Sequence, residues 1–148
     1  MKKILMIALL FAPMTMFAQK IGHVNTQSII QSLPDFIKAR GEVEAQAKIY
    51  ENELQTMQQE IQKQAAAYEQ QQATLSATQK EAKEKELQEM YTKAQQTLQD
   101  NQQKLQKLQQ EKLQPIMTKV QTAIKNVGKA GGYSFVAETA SLLYISET

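Results

Sequence analysis

Apolar and small residues recur in the middle of this chain with gaps that alternate between four and three. The first such stripe runs through Val43, Ala47, Tyr50, Leu54, Met57 and Ile61. This heptad spacing keeps one side of a helix facing a partner helix. Neither Pro nor Gly occurs between Glu42 and Gln114, so nothing in that stretch forces a helix to end.

A second stripe lies further along the chain and matches the first when the two run antiparallel. It passes through Leu87, Tyr91, Ala94, Leu98, Leu105 and Leu108. The pairs are Val43 with Leu108, Ala47 with Leu105, Leu54 with Leu98, Met57 with Ala94, and Ile61 with Tyr91. One reversal near Ser76 satisfies all five pairs. The pattern predicts a coiled-coil hairpin arm over residues 41–112, with each helix about 50 Å long.

The reversal has its own signal. Ser76 with Gln79, and Thr78 with Glu81, have the capping-box spacing that begins a helix, which places the turn at residues 75–78. Polar residues also fall on the stripes, at Gln64, Gln71 and Asn101. Because such residues weaken a coiled-coil seam, we expect arms that bend and splay.

Short strand-like and helix-like segments flank the arm. Before it, residues 20–25 read as a strand, and Thr26 caps a helix to Leu33. Pro34 ends that helix, and Asp35 or Pro34 can begin the next. After it, a stripe continues one residue out of phase, through Leu113, Ile116, Val120, Ile124 and Val127. Pro115 predicts a kink in this helix, and Gly128 predicts its C-terminal cap.

Two further strands are predicted at 133–138 and 142–145, joined by a turn at 139–141. Residues 19–40 and 113–148 would then form one small α/β body, and the fold class is mainly α with a small β body. Three short strands are marginal alone, so we expect the body to oligomerise. The apolar residues expected at that contact are Val24, Tyr133, Phe135, Leu143 and Ile145.

The first 18 residues have the layout of a secretory signal peptide. Lys2 and Lys3 precede an apolar run, residues 4–12, that is too short to span a bilayer, and Ala18 offers a small residue for cleavage. No Cys follows the run, which excludes a lipid anchor on Cys. We predict export to the periplasm with cleavage near Ala18.

Composition excludes several classes of function. The chain has no Cys and one His, and without Lys2 and Lys3 it has 15 basic and 15 acidic residues. A net charge near zero argues against a nucleic-acid partner. We find no nucleophile–base pair, no phosphate-binding Gly-rich loop and no metal-ligand spacing, so no enzyme activity, catalytic residue, metal or cofactor is predicted.

The ends of the mature chain resemble the Skp/OmpH family of periplasmic chaperones for outer-membrane proteins. The similar segments are Lys20-Ile21-Gly22-His23-Val24-Asn25-Thr26-Gln27, Leu33-Pro34, Leu113-Gln114-Pro115-Ile116, Gly132-Tyr133-Ser134-Phe135-Val136 and Leu142-Leu143-Tyr144-Ile145-Ser146. The resemblance implies a jellyfish-like homotrimer whose three hairpin tentacles surround a cavity. It also implies a short closing helix after the last strand, and this sequence ends at Thr148.

The family holds unfolded outer-membrane β-barrel proteins in that cavity without ATP, and the resemblance implies the same here. Met and Tyr make adaptable contacts, so the residues expected to touch the client are Tyr50, Met57, Tyr68, Met90 and Tyr91. Whether a membrane lipid or lipopolysaccharide surface binds as well is left open. The alternative is a structural or adaptor coiled coil of the cell envelope, which has no enzyme activity either.

Overall fold

The computed structural model describes residues 19–144. The predicted signal peptide and Ile145 lie outside these residues. Within them the chain forms two compact units. One is the continuous segment Gln27–Gln121, and the other joins the chain up to Thr26 with the chain from Thr122 onward. The division into 19–40, 41–112 and 113–148 stays a prediction.

Three helices account for most of the described chain: α1 at Thr26–Ser32, α2 at Pro34–Gln71 and α3 at Ala77–Ala130. Of the two predicted starting residues, Pro34 is the first residue of α2, where its missing N–H costs no helical hydrogen bond. Helix α3 continues through Pro115, so the two predicted stripes of its sequence belong to one helix.

Helices α2 and α3 form the predicted antiparallel hairpin. Contacts near its turn join Tyr68 to Glu84, and contacts further away join Glu53 to Asn101. The stripe predicted on α2 is confirmed, because all six of its residues are buried or half-buried. Ile61 is the most enclosed of them, at 4% exposed.

The stripe predicted on α3 is partly wrong. Leu87, Ala94, Leu105 and Leu108 are half-buried as predicted, but Tyr91 and Leu98 are 50% and 44% exposed. Met90 and Thr97 take half-buried positions instead, and Asn101, which was predicted on the stripe, is buried. The pattern predicted that apolar Leu98, rather than polar Thr97, would face the partner helix. In the structure Leu98 lies at the margin of the seam and Thr97 is half-buried.

The reversal occupies residues 72–76, three residues earlier than predicted at its start. Of the two predicted capping boxes, the one formed by Ser76 and Gln79 is confirmed. The Ser76 backbone N–H donates to Gln79 Oε1 at 3.0 Å, and the Gln79 N–H donates back to Ser76 Oγ at 3.4 Å. A capping box lies at the end of a turn, so residues 77 and 78 are already helical.

The second unit contains a two-stranded parallel sheet. Strand β1 is Ile21–Val24 and strand β2 is Phe135–Glu138, with Ile21 opposite Phe135 and Val24 opposite Glu138. The Glu138 carboxylate accepts hydrogen bonds from the Thr26 backbone N–H at 3.2 Å and from Thr26 Oγ1 at 2.6 Å. The end of β2 therefore caps the first residue of α1.

Helix α3 ends in a Schellman motif, in which the Tyr133 N–H bonds the Gly128 carbonyl and the Gly132 N–H bonds the Lys129 carbonyl. Gly132 has φ +66°, the left-handed conformation that this cap requires. The prediction of Gly128 as the cap is therefore wrong. Gly128 lies inside the helix. A Cβ placed on it would lie 3.7 Å from Val136 Cγ2.

The third predicted strand is wrong for its described part. Thr139–Ser141 is a single 3₁₀ turn, and residues 142–144 belong to no strand. Within residues 19–144 the sheet has two strands only, so no described strand pairs with residues 142–144. A strand needs a neighbour for its backbone hydrogen bonds, and an apolar pattern cannot supply one.

Candidate functional site

The hairpin seam is open along one side, where an uncharged groove of about 330 Å³ lies between α2 and α3. Its lining residues are Leu54, Gln58, Ile61, Gln62, Tyr91, Ala94, Gln95 and Leu98. The grouping agrees with the predicted pairs of Leu54 with Leu98 and Ile61 with Tyr91. Ala94 has a small side chain, which leaves space between these two larger pairs.

A second, smaller groove flanks Ile61 on the other side of the seam. This methionine groove has a volume of about 200 Å³ and is lined by Met57, Glu60, Ile61, Met90 and Lys93. Met57 therefore shares its groove with Met90, whereas the predicted partner Ala94 lines the uncharged groove. The two sides differ in charge, since only the methionine groove has Glu and Lys in its lining.

The remaining two residues predicted to contact a client are half-buried tyrosines of α2. Tyr68 donates a 2.6 Å hydrogen bond from its hydroxyl to Glu84 Oε1 on α3. This bond is the main reason why the pKa of Tyr68 is raised above its usual value. Tyr50 lies on the confirmed α2 stripe, so the five predicted residues share the hairpin but not one surface.

Ion pairs join the helices at the opposite end of the hairpin from the turn. Lys112 pairs with Glu42, and Lys119 Nζ lies 2.7 Å from Asp35 Oδ2. Hydrogen bonding by these lysines, followed by their charge, holds the pKa of Glu42 and of Asp35 below its usual range. All four groups are partly exposed, so the pairs orient the helices more than they stabilise them.

The residues predicted for oligomerisation differ in exposure. Val24 is half-buried, and Tyr133 is enclosed by Gly22 and Gly131 with the Lys20 ammonium 4.3 Å from its ring centre. Phe135 is half-exposed and Leu143 is fully exposed. Two of the four described residues are therefore available to a partner.

Within the described range, no cluster of three or more His, Asp or Glu side chains is arranged to hold a metal ion. No helix among residues 19–144 combines the length and the apolar character needed to cross a membrane.

Sequence reasoning missed the uncharged groove as a surface. The signal was present, because Leu54 and Ile61 are seven residues apart on one helix and Tyr91 and Leu98 are seven apart on the other. The heptad pattern predicts that these residues form coiled-coil core, and it does not predict where a loose seam opens. The flanking glutamines gave no reason to expect an opening.

The fold is a helical hairpin combined with a two-stranded parallel sheet, and comparisons with known proteins agree on its class. The family model for outer membrane protein (OmpH-like) matches residues 20–148. The chain belongs to this family, which confirms the resemblance seen in the sequence.

Individual relatives are consistent with this membership. The chain is 30% identical over 131 residues to chaperone protein Skp of Yersinia enterocolitica, covering 86% of this chain and 77% of that one. It is 29% identical over 133 residues to chaperone protein Skp of Pectobacterium atrosepticum, covering 87% and 78%. The crystal structure of a protein assigned as an OmpH-like outer membrane chaperone from Caulobacter crescentus has the same fold, with a TM-score of 0.80 at 15% identity. The match covers 86% of this chain and 76% of that chain.

Proposed function

We propose that this protein is a periplasmic holdase that binds unfolded outer-membrane β-barrel proteins and prevents their aggregation without ATP. The observation that carries the proposal is the open seam of a hairpin whose relatives are named chaperones. Tyr91 and Leu98 are about half exposed beside the buried Ile61, so the hairpin offers apolar surface that its own packing leaves uncovered.

The physical basis is competition with aggregation. Unfolded barrel strands expose apolar side chains and unpaired backbone groups, which associate with one another. A protein that binds this unfolded state withdraws it from aggregation by mass action. Release needs no nucleotide, because the membrane is a thermodynamically better site for a barrel than the chaperone.

Client contact is proposed to be distributed over the hairpin. Tyr91 lines the uncharged groove and Met57 and Met90 line the methionine groove, which supports all three as contacts. Tyr50 and Tyr68 are half-buried, so they become contacts only where the helices separate. Met and Tyr adapt to varied partners, which suits a binder of many sequences.

A homotrimer is proposed, with the client held in a cavity between the arms of the three copies. The exposed Phe135, Leu143 and Tyr144 support assembly, since a monomer would leave this apolar surface in water. A sheet of two short strands is also marginal without further partners.

Export is proposed to remove the first 18 residues. The mass of the protein recovered from the periplasm should then correspond to a chain that begins at Gln19. Recovery of the intact chain from the cytoplasm alone would contradict export.

An aggregation assay tests the proposed function. A urea-denatured β-barrel outer-membrane protein is diluted into buffer with purified protein and without ATP, and light scattering is followed. We expect scattering to be suppressed, and added ATP to change nothing. An unchanged trace at several-fold excess of the protein would reject the holdase function.

A further inference from the structure

We propose that the uncharged groove is the docking site for uncharged apolar segments of the client, which it takes in extended form. This inference rests on the proposed holdase function and assigns that function to one side of the hairpin. The segment would place apolar side chains over Ala94 between Leu54 and Tyr91, while its backbone bonds the glutamines of the groove.

Charge favours this side of the hairpin. No Asp, Glu, Lys, Arg or His lines the uncharged groove, although 22% of the chain is charged. The methionine groove has Glu60 and Lys93 in its lining. Covering a charged group with an apolar segment removes its water without supplying a partner, which opposes binding. The membrane-facing side chains of β-barrel strands are apolar and uncharged, so they match the groove that lacks charge.

Hydrogen bonding favours an extended occupant over a helix. An unfolded segment has free backbone N–H and C=O groups, whereas a helix has already paired its own. Gln58, Gln62 and Gln95 line the groove, and each carries an amide with both N–H donors and a carbonyl acceptor. The arm of a second copy is helical, so its backbone would form no hydrogen bonds with these glutamine amides.

The size of the groove fits weak binding at a single site. About 330 Å³ is near the lower limit of the pockets that hold small ligands, so it admits one or two client side chains. Weak sites on several arms add through effective concentration, which would hold a long unfolded chain and still release it.

Neighbouring glutamine pairs in the sequence provide a matched test. Gln58 and Gln95 line the uncharged groove, whereas the next residues, Gln59 and Gln96, are also exposed but do not line it. The test variant is Gln58→Glu/Gln95→Glu and the control is Gln59→Glu/Gln96→Glu. Both change the charge by the same amount, and Gln and Glu have similar helix propensity.

The readout is the Kd of each full-length mature protein for a fluorescently labelled, urea-denatured eight-stranded β-barrel, measured by anisotropy after dilution. Far-UV circular dichroism verifies that both variants keep their helix content. We expect the groove variant to raise the Kd by about tenfold or more. The control should stay within about twofold of the unmodified protein, because an exposed charge away from the groove costs little.

Other results have distinct meanings. Equal Kd values for the two variants, with the unmodified protein binding well, would overturn the docking site and leave the holdase function intact. A groove variant that changes the sedimentation mass but not the Kd would show a contact between copies, and would also overturn the proposal. Failure of the unmodified protein to bind the barrel would reject the holdase function itself.

Discussion

Asn101 donates a 2.9 Å hydrogen bond from its side-chain amide to Glu53 Oε2 across the hairpin, and it is 4% exposed. It is the one buried polar residue among residues 19–144. An amide at a seam position fixes the alignment of two helices at a cost in stability, because an apolar residue would pack there more favourably. The hairpin therefore has a defined register without a tight seam.

Replacement of Asn101 by Leu should stabilise the hairpin. The seam would gain apolar burial, and the exposed Glu53 carboxylate would return to water, so the free energy of unfolding should rise by about 1–2 kcal/mol. Urea unfolding followed by circular dichroism measures the change. Gln102→Leu, at the exposed neighbouring position, is the control and should change stability by less than about 0.5 kcal/mol. A loss of stability in Asn101→Leu would mean that the hydrogen bond outweighs the packing.

Thr26 and Glu138 should couple the two ends of the chain. Thr26→Val keeps the shape of the side chain but removes the 2.6 Å bond from Oγ1 to the Glu138 carboxylate, which should cost about 1–2 kcal/mol. The Thr92 hydroxyl bonds only within its own helix, so Thr92→Val is the control and should be near neutral. Equal effects of the two substitutions on urea unfolding would contradict this coupling.

Replacement by alanine should change the stability of the protein in opposite directions at two glycines. A Cβ on Gly131 would lie 2.6 Å from a ring carbon of Tyr133, so Gly131→Ala must displace the ring and should cost about 1–3 kcal/mol. Gly41 lies within α2 with nothing within 4 Å of an added Cβ, so Gly41→Ala should stabilise by about 0.5–1 kcal/mol. Thermal unfolding measures both. The account fails here if Gly131→Ala is tolerated as well as Gly41→Ala.

Acid should loosen the ion-paired end of the hairpin. The pKa values of Asp35 and Glu42 are lowered in the folded protein, first by hydrogen bonds from Lys119 and Lys112. A lowered folded pKa adds stability above the unfolded value of about 4, and this stability is lost as the pH falls through the folded pKa. The urea midpoint should therefore decrease between pH 7 and pH 3.

The double variant Asp35→Asn/Glu42→Gln should show a smaller decrease, because it lacks the two groups whose protonation breaks the pairs. Glu51→Gln/Asp100→Asn removes two exposed carboxylates elsewhere on the hairpin and should keep the full decrease. If both variants had the same pH dependence as the unmodified protein, these ion pairs would have no part in acid sensitivity.

Much of the hairpin could be predicted because heptad spacing is read from neighbouring residues and determines which helix faces pack together. The α2 stripe, the start of α2 at Pro34 and the Ser76–Gln79 capping box all follow from neighbouring residues. The error on α3 arose where polar Thr97 took a half-buried position and its apolar neighbour Leu98 was left exposed. Hydrophobicity alone does not rank neighbouring positions when the seam is only partly closed.

The sheet was harder to predict because its stability depends on partners far along the chain. Strands β1 and β2 were both expected, but the bond between Thr26 and Glu138 spans the whole hairpin in sequence and left no local signal. The expected strand at 142–145 failed over its described part for the same reason. The uncharged groove was missed because an opening between two helices depends on side-chain size across the seam, at Ala94 above all.

The most direct test is the mass of the mature protein in solution, measured by sedimentation equilibrium with and without a urea-denatured β-barrel after dilution. The account predicts three copies alone and a complex of three copies with one barrel chain, formed without ATP. A mass that stays the same when the unfolded barrel is added, while the barrel precipitates, would contradict it.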